Sequence, residues 1–499
     1  MSDRSRYAGG DQRENRGRIE VPGARFWGAG LGSPRVADTQ ASSVIVEAEG
    51  NPIRPRLLVW IILAALLELC FVAILRLGNL KANVVPFLAW ALAAGVVYLT
   101  ATWWALRPAP TSRSETRLIL GAALLFRITL LPLYPSLSDD LYRYQWDGKI
   151  QAAEFNPYQF PPQSPVFDPL RGPEYRSVNG KDIAGVYPPL AEKILSWNYA
   201  LSPHLRGEKL LFVGFEALLS WVLLGLLRQR GLPARRVLIY AWCPLAVIEV
   251  AGSGHMDPAV IVLYLLAFYL LGSRSARKHL WGALALMAAV FTKFFPVVLF
   301  PVYFARSRRR PWVWMTVLGT LLSLPYLWAG KHFAGRDLLR NLREFSDRWV
   351  HNNDSAFALL TRFFGGGYQS LEPARQVVLI VLVGMIGWTL VRRLEPLHAC
   401  LVILGTVVLL SPNVFPWYVL WLLPLLAIYP WTPWLYFSIG VLLSYHSLIF
   451  YEAEGRLRFE PRWLAMEYAP LYGLLLLHWV RARWRARRQL SEALDEVRA

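Results

Sequence analysis

Long apolar runs separated by short polar ones dominate the chain. Runs at 57–75, 84–106 and 118–135 approach the about 20 residues that a helix needs to cross hydrocarbon. Similar runs recur at 210–227, 236–252, 257–273, 312–330, 376–392, 397–411, 416–430, 432–450 and 466–481. None alternates with a period of two, so the segments predict helices rather than a β-barrel. The run 279–305 has basic clusters on both sides and TKFFP in its middle. One crossing would break the positive-inside rule, so it predicts two short helices meeting at an outer turn around Thr292 to Pro296. YPPLAEKILSWNYALSP at 187–203 carries Glu192 and Lys193 in its middle, which predicts a helix lying on the membrane surface.

The expected fold is an all-α polytopic membrane protein of about 12–14 transmembrane helices of uneven length. The first large outer loop, 136–208, carries juxtamembrane helices, and a second outer loop spans 331–375. Residues 1–54 are polar and rich in Gly, Arg and Ser, without the pattern of a cleaved signal peptide; they read as a disordered cytoplasmic tail. Residues 55–481 form the membrane-embedded domain and 482–499 a basic cytoplasmic tail. The two halves do not resemble each other, which argues against an inverted-repeat transporter.

Composition supports the membrane reading. Of 499 residues, 55% are hydrophobic, and mean hydropathy is +0.33. The net charge of +19 raises nucleic acid as a partner, but its placement removes it. Arg and Lys cluster in RQRGLPARR (228–236), RSARK (274–278), RSRRR (306–310) and RARWRARR (481–488), the pattern of cytoplasmic loops. With the basic loop RPAPTSRSETR also inside, both termini are cytoplasmic and the end of the 118–135 run is outside. Cys70, Cys243 and Cys400 fall in or beside apolar runs without metal spacing and read as small core residues.

This topology gathers Asp139, Asp140, Arg143, Tyr187, His255, Asp257, Lys293, Asn352, Trp417 and Tyr418 on the outer face. In SDDLYRYQWDGK, Leu137 and Leu141 suit a helix leaving the membrane, with Ser138 available as N-cap. Asp139 and Asp140 could serve only as caps, yet a cap needs one acid, and adjacent like charges repel. In GHMDP, Asp257 could cap a helix with Pro258 at its first position; that leaves His255 unexplained. Lys293 in an apolar hairpin either snorkels or meets an anion. SPNVFPWYVLW places Trp417 and Tyr418 in an interfacial belt, where such rings can also stack on sugars.

Taken in order, SDDLYRYQWDGK…NPY, YPPL, GHMD, TKFFP and FPWYVLW resemble the GT-C superfamily of polytopic glycosyltransferases that use polyprenyl-phosphate sugars. Over about residues 115–450 they look most like bacterial polyprenyl-phosphomannose-dependent mannosyltransferases, including glycosyltransferase family 87 and the mycobacterial α-1,6-mannosyltransferases. In such enzymes the large outer loop follows the first helix; here it follows the third. The resemblance implies a GT-C-like fold with an acid of that loop, Asp139 or Asp140, as general base, Asp139 being favoured. The other carboxylate would orient a partner or touch a metal. Lys293 would contact the donor phosphate, helped by Arg143 and His255, with Asp257, Tyr187, Trp417 and Tyr418 as further substrate contacts.

The implied reaction is inverting transfer of a hexose, mannose favoured, to a glycolipid or glycan acceptor on the outer face of a bacterial inner (plasma) membrane. No GxGxxG or Walker loop is present, and no cofactor is required. Some relatives carry a divalent metal near the acids; Asp139 and Asp140 would permit one, without a closed ligand set. A transporter or flippase of lipid-linked sugars, a same-fold polymerase or ligase using a lipid pyrophosphate, and a non-catalytic scaffold are the competing readings. A transporter would want ionisable groups at mid-membrane, and a scaffold leaves the acid pair without purpose.

Overall fold

The computed structural model describes residues 53–498, apart from 111, 308–311, 330, 331, 334 and 456. The expected tail before residue 53 and most of the RSRRR cluster lie outside the described residues. The chain divides into a unit of residues 45–477 and a second unit of 1–44 with 478–499. The final helix, Pro461–Arg498, is continuous past residue 481, where the sequence reading ends the last span.

The protein is an all-α polytopic membrane protein. Among the described residues the β-structure is a two-residue antiparallel ladder, Trp328–Ala329 with His332–Phe333, and an isolated bridge between Asn352 and Asn413. Among the described residues, five helices are long and apolar enough to cross a membrane: Arg56–Arg76, Val84–Leu106, Leu205–Gln229, Tyr368–Val391 and Thr432–Tyr451. Four shorter apolar helices accompany them, at Asp257–Leu271, Phe295–Phe304, Val313–Leu324 and Pro396–Leu410.

Helices α1 (Ile53–Arg76) and α2 (Val84–Leu106) follow the first two runs, and α3 (Arg113–Leu130) overlaps the third, 118–135, but ends at Leu130. Helix α3 starts earlier than its apolar run because Ser112 and Glu115 form a capping box. The Glu115 carboxylate also accepts from Arg56 Nε (2.8 Å) and Trp60 Nε1 (3.2 Å), tying α3 to α1. Arg127 on α3 pairs with Glu216 on α6 (Leu205–Gln229) at 2.9 Å, and Tyr240 donates to the same carboxylate. Both charges are paired and hydrogen-bonded, the condition for holding ions inside a membrane protein.

Two runs expected as single spans are broken. Pro244 and the residues around it divide 236–252 into a 3-10 turn, helices Leu238–Ala241 and Pro244–Ala246, and a π-helical turn Val247–Gly252. Residues 237–262 are all buried. Irregular backbone is tolerated at membrane depth when protein surrounds it. Likewise Pro416 and Pro424 reduce 416–430 to a 3-10 turn, Pro416–Trp421, and a short helix, Leu423–Leu426. The expected break at TKFFP is present: a helix ends at Thr292 and a 3-10 turn, Phe295–Leu299, follows.

The 136–208 segment folds into α4 (Asp140–Ala152), two 3-10 turns and α5 (Pro189–Leu201). It has a small core of its own in Tyr142, Trp146, Ile150, Phe167 and Val178. Gly148 allows α4 to meet α5: a Cβ there would lie 2.7 Å from the Leu195 carbonyl oxygen. Glu192, expected at a membrane surface, is instead fully buried and accepts from Gln151 on α4 at 2.8 Å. The NPY and YPPL motifs staple this layer. Asn156 donates to the Tyr326 carbonyl (2.7 Å), and Tyr158 Oη donates to the Tyr187 carbonyl (2.7 Å).

Candidate active site

The α4 N-terminus positions the acid pair. Neither acid caps the helix with its side chain; the Asp140 N–H donates to Ser138 Oγ at 3.2 Å, so Ser138 takes that task. Both carboxylates are left to face a cavity of about 410 Å3, within the usual range for small-molecule sites. Asp139, Asp140, Arg143, Tyr187, Lys293, Trp417 and Tyr418 all line it. Seven of the nine candidate site residues, dispersed over nearly 280 positions, thus share one space. His255 and Asp257 sit directly behind the wall, fully buried.

Asp140 is the organised member of the pair. Its Oδ1 accepts from Asn179 Nδ2 at 2.8 Å, and its Oδ2 lies 3.8 Å from His255 Nδ1. Its side chain remains 22% exposed. Burial pushes its pKa up to about 6, against the opposing pull of Asn179 and of the Lys293 charge. Asp139 accepts no side-chain hydrogen bond among the described residues; burial raises its pKa, with Lys81 and Lys181 opposing.

The cations of the site are engaged by protein groups, and Lys293 meets the anion that its apolar setting demands. Lys293 Nζ contacts both Asp257 oxygens at 2.8 Å, and Trp421 Nε1 donates to Asp257 Oδ1 at 2.7 Å. Asp257 is thus an ion-pair partner rather than a cap: Met256 takes the N-cap position of the helix that begins at Asp257. Arg143 is held by Asp147 (3.0 Å) and by the carbonyls of Gly180 and Ile183. Lys81, from the α1–α2 connection, also lines the cavity. Its Nζ lies 3.8 Å over the Tyr451 ring, and no carboxylate pairs with it among the described residues.

The aromatic residues stack mainly on one another. Trp417 lies nearly parallel to His255 (3.8 Å between centroids) and to Phe415 (4.6 Å). Two parallel rings at those distances occupy its two faces, so Trp417 offers the cavity an edge rather than a platform. Trp421 is sandwiched in the same way by Phe295 and Tyr418. Asn352, also expected on this side, donates to Asn413 Oδ1 at 2.8 Å and ties the second loop to the segment bearing Trp417. Most of the remaining wall is apolar, with Leu342, Phe345, Trp349, Leu448 and Leu457 among it.

His255 is delivered by the π turn. Its N–H donates to the Glu249 carbonyl (2.9 Å), and Gly254 at φ +82° lets the turn pass under Leu141 of α4. Its Nε2 lies 3.3 Å from Glu249 Oε2, while Tyr445 Oη donates to Glu249 Oε1 at 2.7 Å. Burial, with the Lys293 charge adding to it, lowers the His255 pKa well below the usual value and favours the neutral imidazole. It is fully buried behind Trp417 and is not part of the cavity lining.

Sequence reasoning missed Glu249, Asn179 and Lys81. A lone Glu inside the apolar run CPLAVIEVAG was a readable signal, because an ionisable residue at membrane depth is a functional candidate. Asn179 gave none, and Lys81 reads as an ordinary snorkelling cation. No three His, Cys, Asp or Glu side chains among the described residues come together as a metal site.

No curated protein and no solved structure matches the chain. Residues 71–307 match the sequence profile of the alpha-(1->6)-mannopyranosyltransferase N-terminal domain, and residues 367–482 match that of the MptB C-terminal domain. Spanning most of the cavity-forming chain, the two matches show that this protein belongs to the alpha-(1->6)-mannopyranosyltransferase family and is a membrane glycosyltransferase that transfers mannose.

Proposed function

We propose that the enzyme takes mannose from a polyprenyl-phosphate mannose donor and transfers it, with inversion, to a hydroxyl of a glycan or glycolipid acceptor. Asp140 is the general base. One observation carries this reading: a partly exposed carboxylate, fixed by Asn179, opens into a cavity that joins cations to an apolar wall. A lipid phosphate ester of a sugar has that same division between charge and hydrocarbon.

Asp140 removes the proton from the acceptor hydroxyl as its oxygen attacks the anomeric carbon. The bond between that carbon and the phosphate oxygen breaks, and its electron pair leaves with the polyprenyl phosphate. Lys81, with no carboxylate in ion-pair contact among the described residues, and Lys293, whose ammonium retains donor capacity, counter the leaving charge. The clustering of basic residues in loops on the opposite side supports an outer-facing site in a bacterial plasma membrane, with both termini inside.

The test is transfer by the purified enzyme in proteoliposomes from radiolabelled polyprenyl-phosphate mannose, a nucleotide-activated mannose and a lipid-pyrophosphate-linked sugar. Product is expected from the first donor alone. Product from the pyrophosphate donor alone would favour the polymerase or ligase reading, and product from the nucleotide donor alone would contradict a lipid-carrier mechanism.

A further inference from the structure

The buried pair behind Asp140 carries a further role. His255 has two ring nitrogens, neither hydrogen-bonded, and a carboxyl group beside each: Asp140 at 3.8 Å from Nδ1 and Glu249 at 3.3 Å from Nε2. A neutral imidazole donates from one nitrogen and accepts at the other. If Asp140 is the charged base, it can only accept, so Nδ1 carries the hydrogen and Nε2 presents a lone pair. That lone pair lies 3.3 Å from Glu249 Oε2, and two acceptors at that distance would repel. The Glu249 oxygen must therefore bring the hydrogen. Glu249 is fully buried, takes the Tyr445 hydroxyl on its other oxygen, has the Ser253 side chain beside it, and has no cation within ion-pair distance among the described residues. A neutral carboxyl is the less costly form in such a place.

We propose that Glu249 is a positioning residue for the transfer: its protonated carboxyl donates to His255 Nε2, which fixes the imidazole as the Nδ1–H tautomer and aims that N–H at Asp140 Oδ2. The inference rests on the reading of Asp140 as base. The 3.8 Å separation is beyond hydrogen-bond length, but catalytic hydrogen bonds commonly close only in the substrate complex. Two rigid contacts hold the ring for that approach. Trp417 stacks on it, and the π turn fixes its backbone to Glu249. The other charged and titratable groups around this chain of contacts, among the described residues, include Asp139, Tyr144, Tyr187, Asp257, Lys293, Tyr418 and Tyr445. None replaces a hydrogen donor at Nε2.

Two substitutions separate a donor from a charge. Glu249→Gln keeps an N–H for His255, while Glu249→Leu removes it. Glu249→Gln is expected to stay within about threefold of wild-type kcat, because the essential hydrogen bond survives. Glu249→Leu is expected to lose about tenfold or more in kcat with donor KM unchanged. Without the Nδ1–H donor the Asp140 carboxylate is less favoured, so the acid limb of kcat in Glu249→Leu should move up by about one pH unit. If Glu249→Leu does not fold, Glu249→Gln alone decides. An inactive Glu249→Gln, or a Glu249→Leu enzyme with unchanged kcat and acid limb, overturns the inference. Asp140→Asn, assayed alongside, keeps the two levels apart: a fully active Asp140→Asn defeats the reading of the base itself.

Discussion

Asp140→Asn should lower mannosyl transfer by about 10²- to 10⁴-fold, the usual loss when a general base is removed. The substitution is nearly isosteric. The Asn oxygen still accepts from Asn179, so the local fold and the donor KM should survive. Asp139→Asn should cost far less, because no hydrogen bond from the described residues orients the Asp139 carboxylate. The sequence leans towards Asp139, the N-terminal member of the pair; the partners of Asp140, Asn179 and His255, arrive from 39 and 115 residues further along the chain. The same assignment predicts the pH dependence. The active form is the carboxylate, and burial raises its pKa to about 6. Activity should therefore be full well above pH 6 and fall as the pH drops through about 6. Both effects are read from initial rates in proteoliposomes, with donor binding measured separately.

Lys293→Met should be the most destabilising change near the site. It would strand Asp257, fully buried, with only the Trp421 N–H as partner. Breaking one side of a buried pair typically costs about 3–5 kcal/mol. The double variant Lys293→Met/Asp257→Leu should recover most of that loss, short of the unpaired Trp421 N–H, because no isolated charge remains. Thermal unfolding in detergent measures both. The pair also separates structure from binding. If Lys293 meets the donor phosphate, donor KM stays raised in the refolded double variant; if Lys293 serves only Asp257, donor KM returns to the wild-type value.

The limits of sequence reading follow from what is local. Helices α1, α2 and α3 were legible because hydropathy and a capping box are properties of contiguous residues. The break at Lys293 was legible because basic residues flank both ends of the run. The irregular segments 236–252 and 416–430 were not. Hydropathy scores a segment buried in protein as it scores one facing lipid, and the prolines that break them are tolerated in true spans too. Glu192 illustrates the same gap: an acid in an amphipathic stretch reads as solvated, and only the α4–α5 packing turns it inward. Asp257 made a sound cap by local rules, but Lys293, 36 residues away, outcompetes that role. Trp417 was legible as part of the site, but the coverage of both its faces was not.

The central claim is that the donor's anomeric carbon lies beside Asp140. It is tested most directly by a cryo-EM map of Asp140→Asn with polyprenyl-phosphate mannose bound. The account predicts the sugar in this cavity, the phosphate towards Lys81 and Lys293, and the prenyl chain along Leu448 and Leu457. The space for an acceptor oxygen, about 3–3.5 Å from the anomeric carbon, should lie within hydrogen-bond reach of residue 140. A sugar seated elsewhere, or on the far side of the anomeric carbon from residue 140, would contradict it.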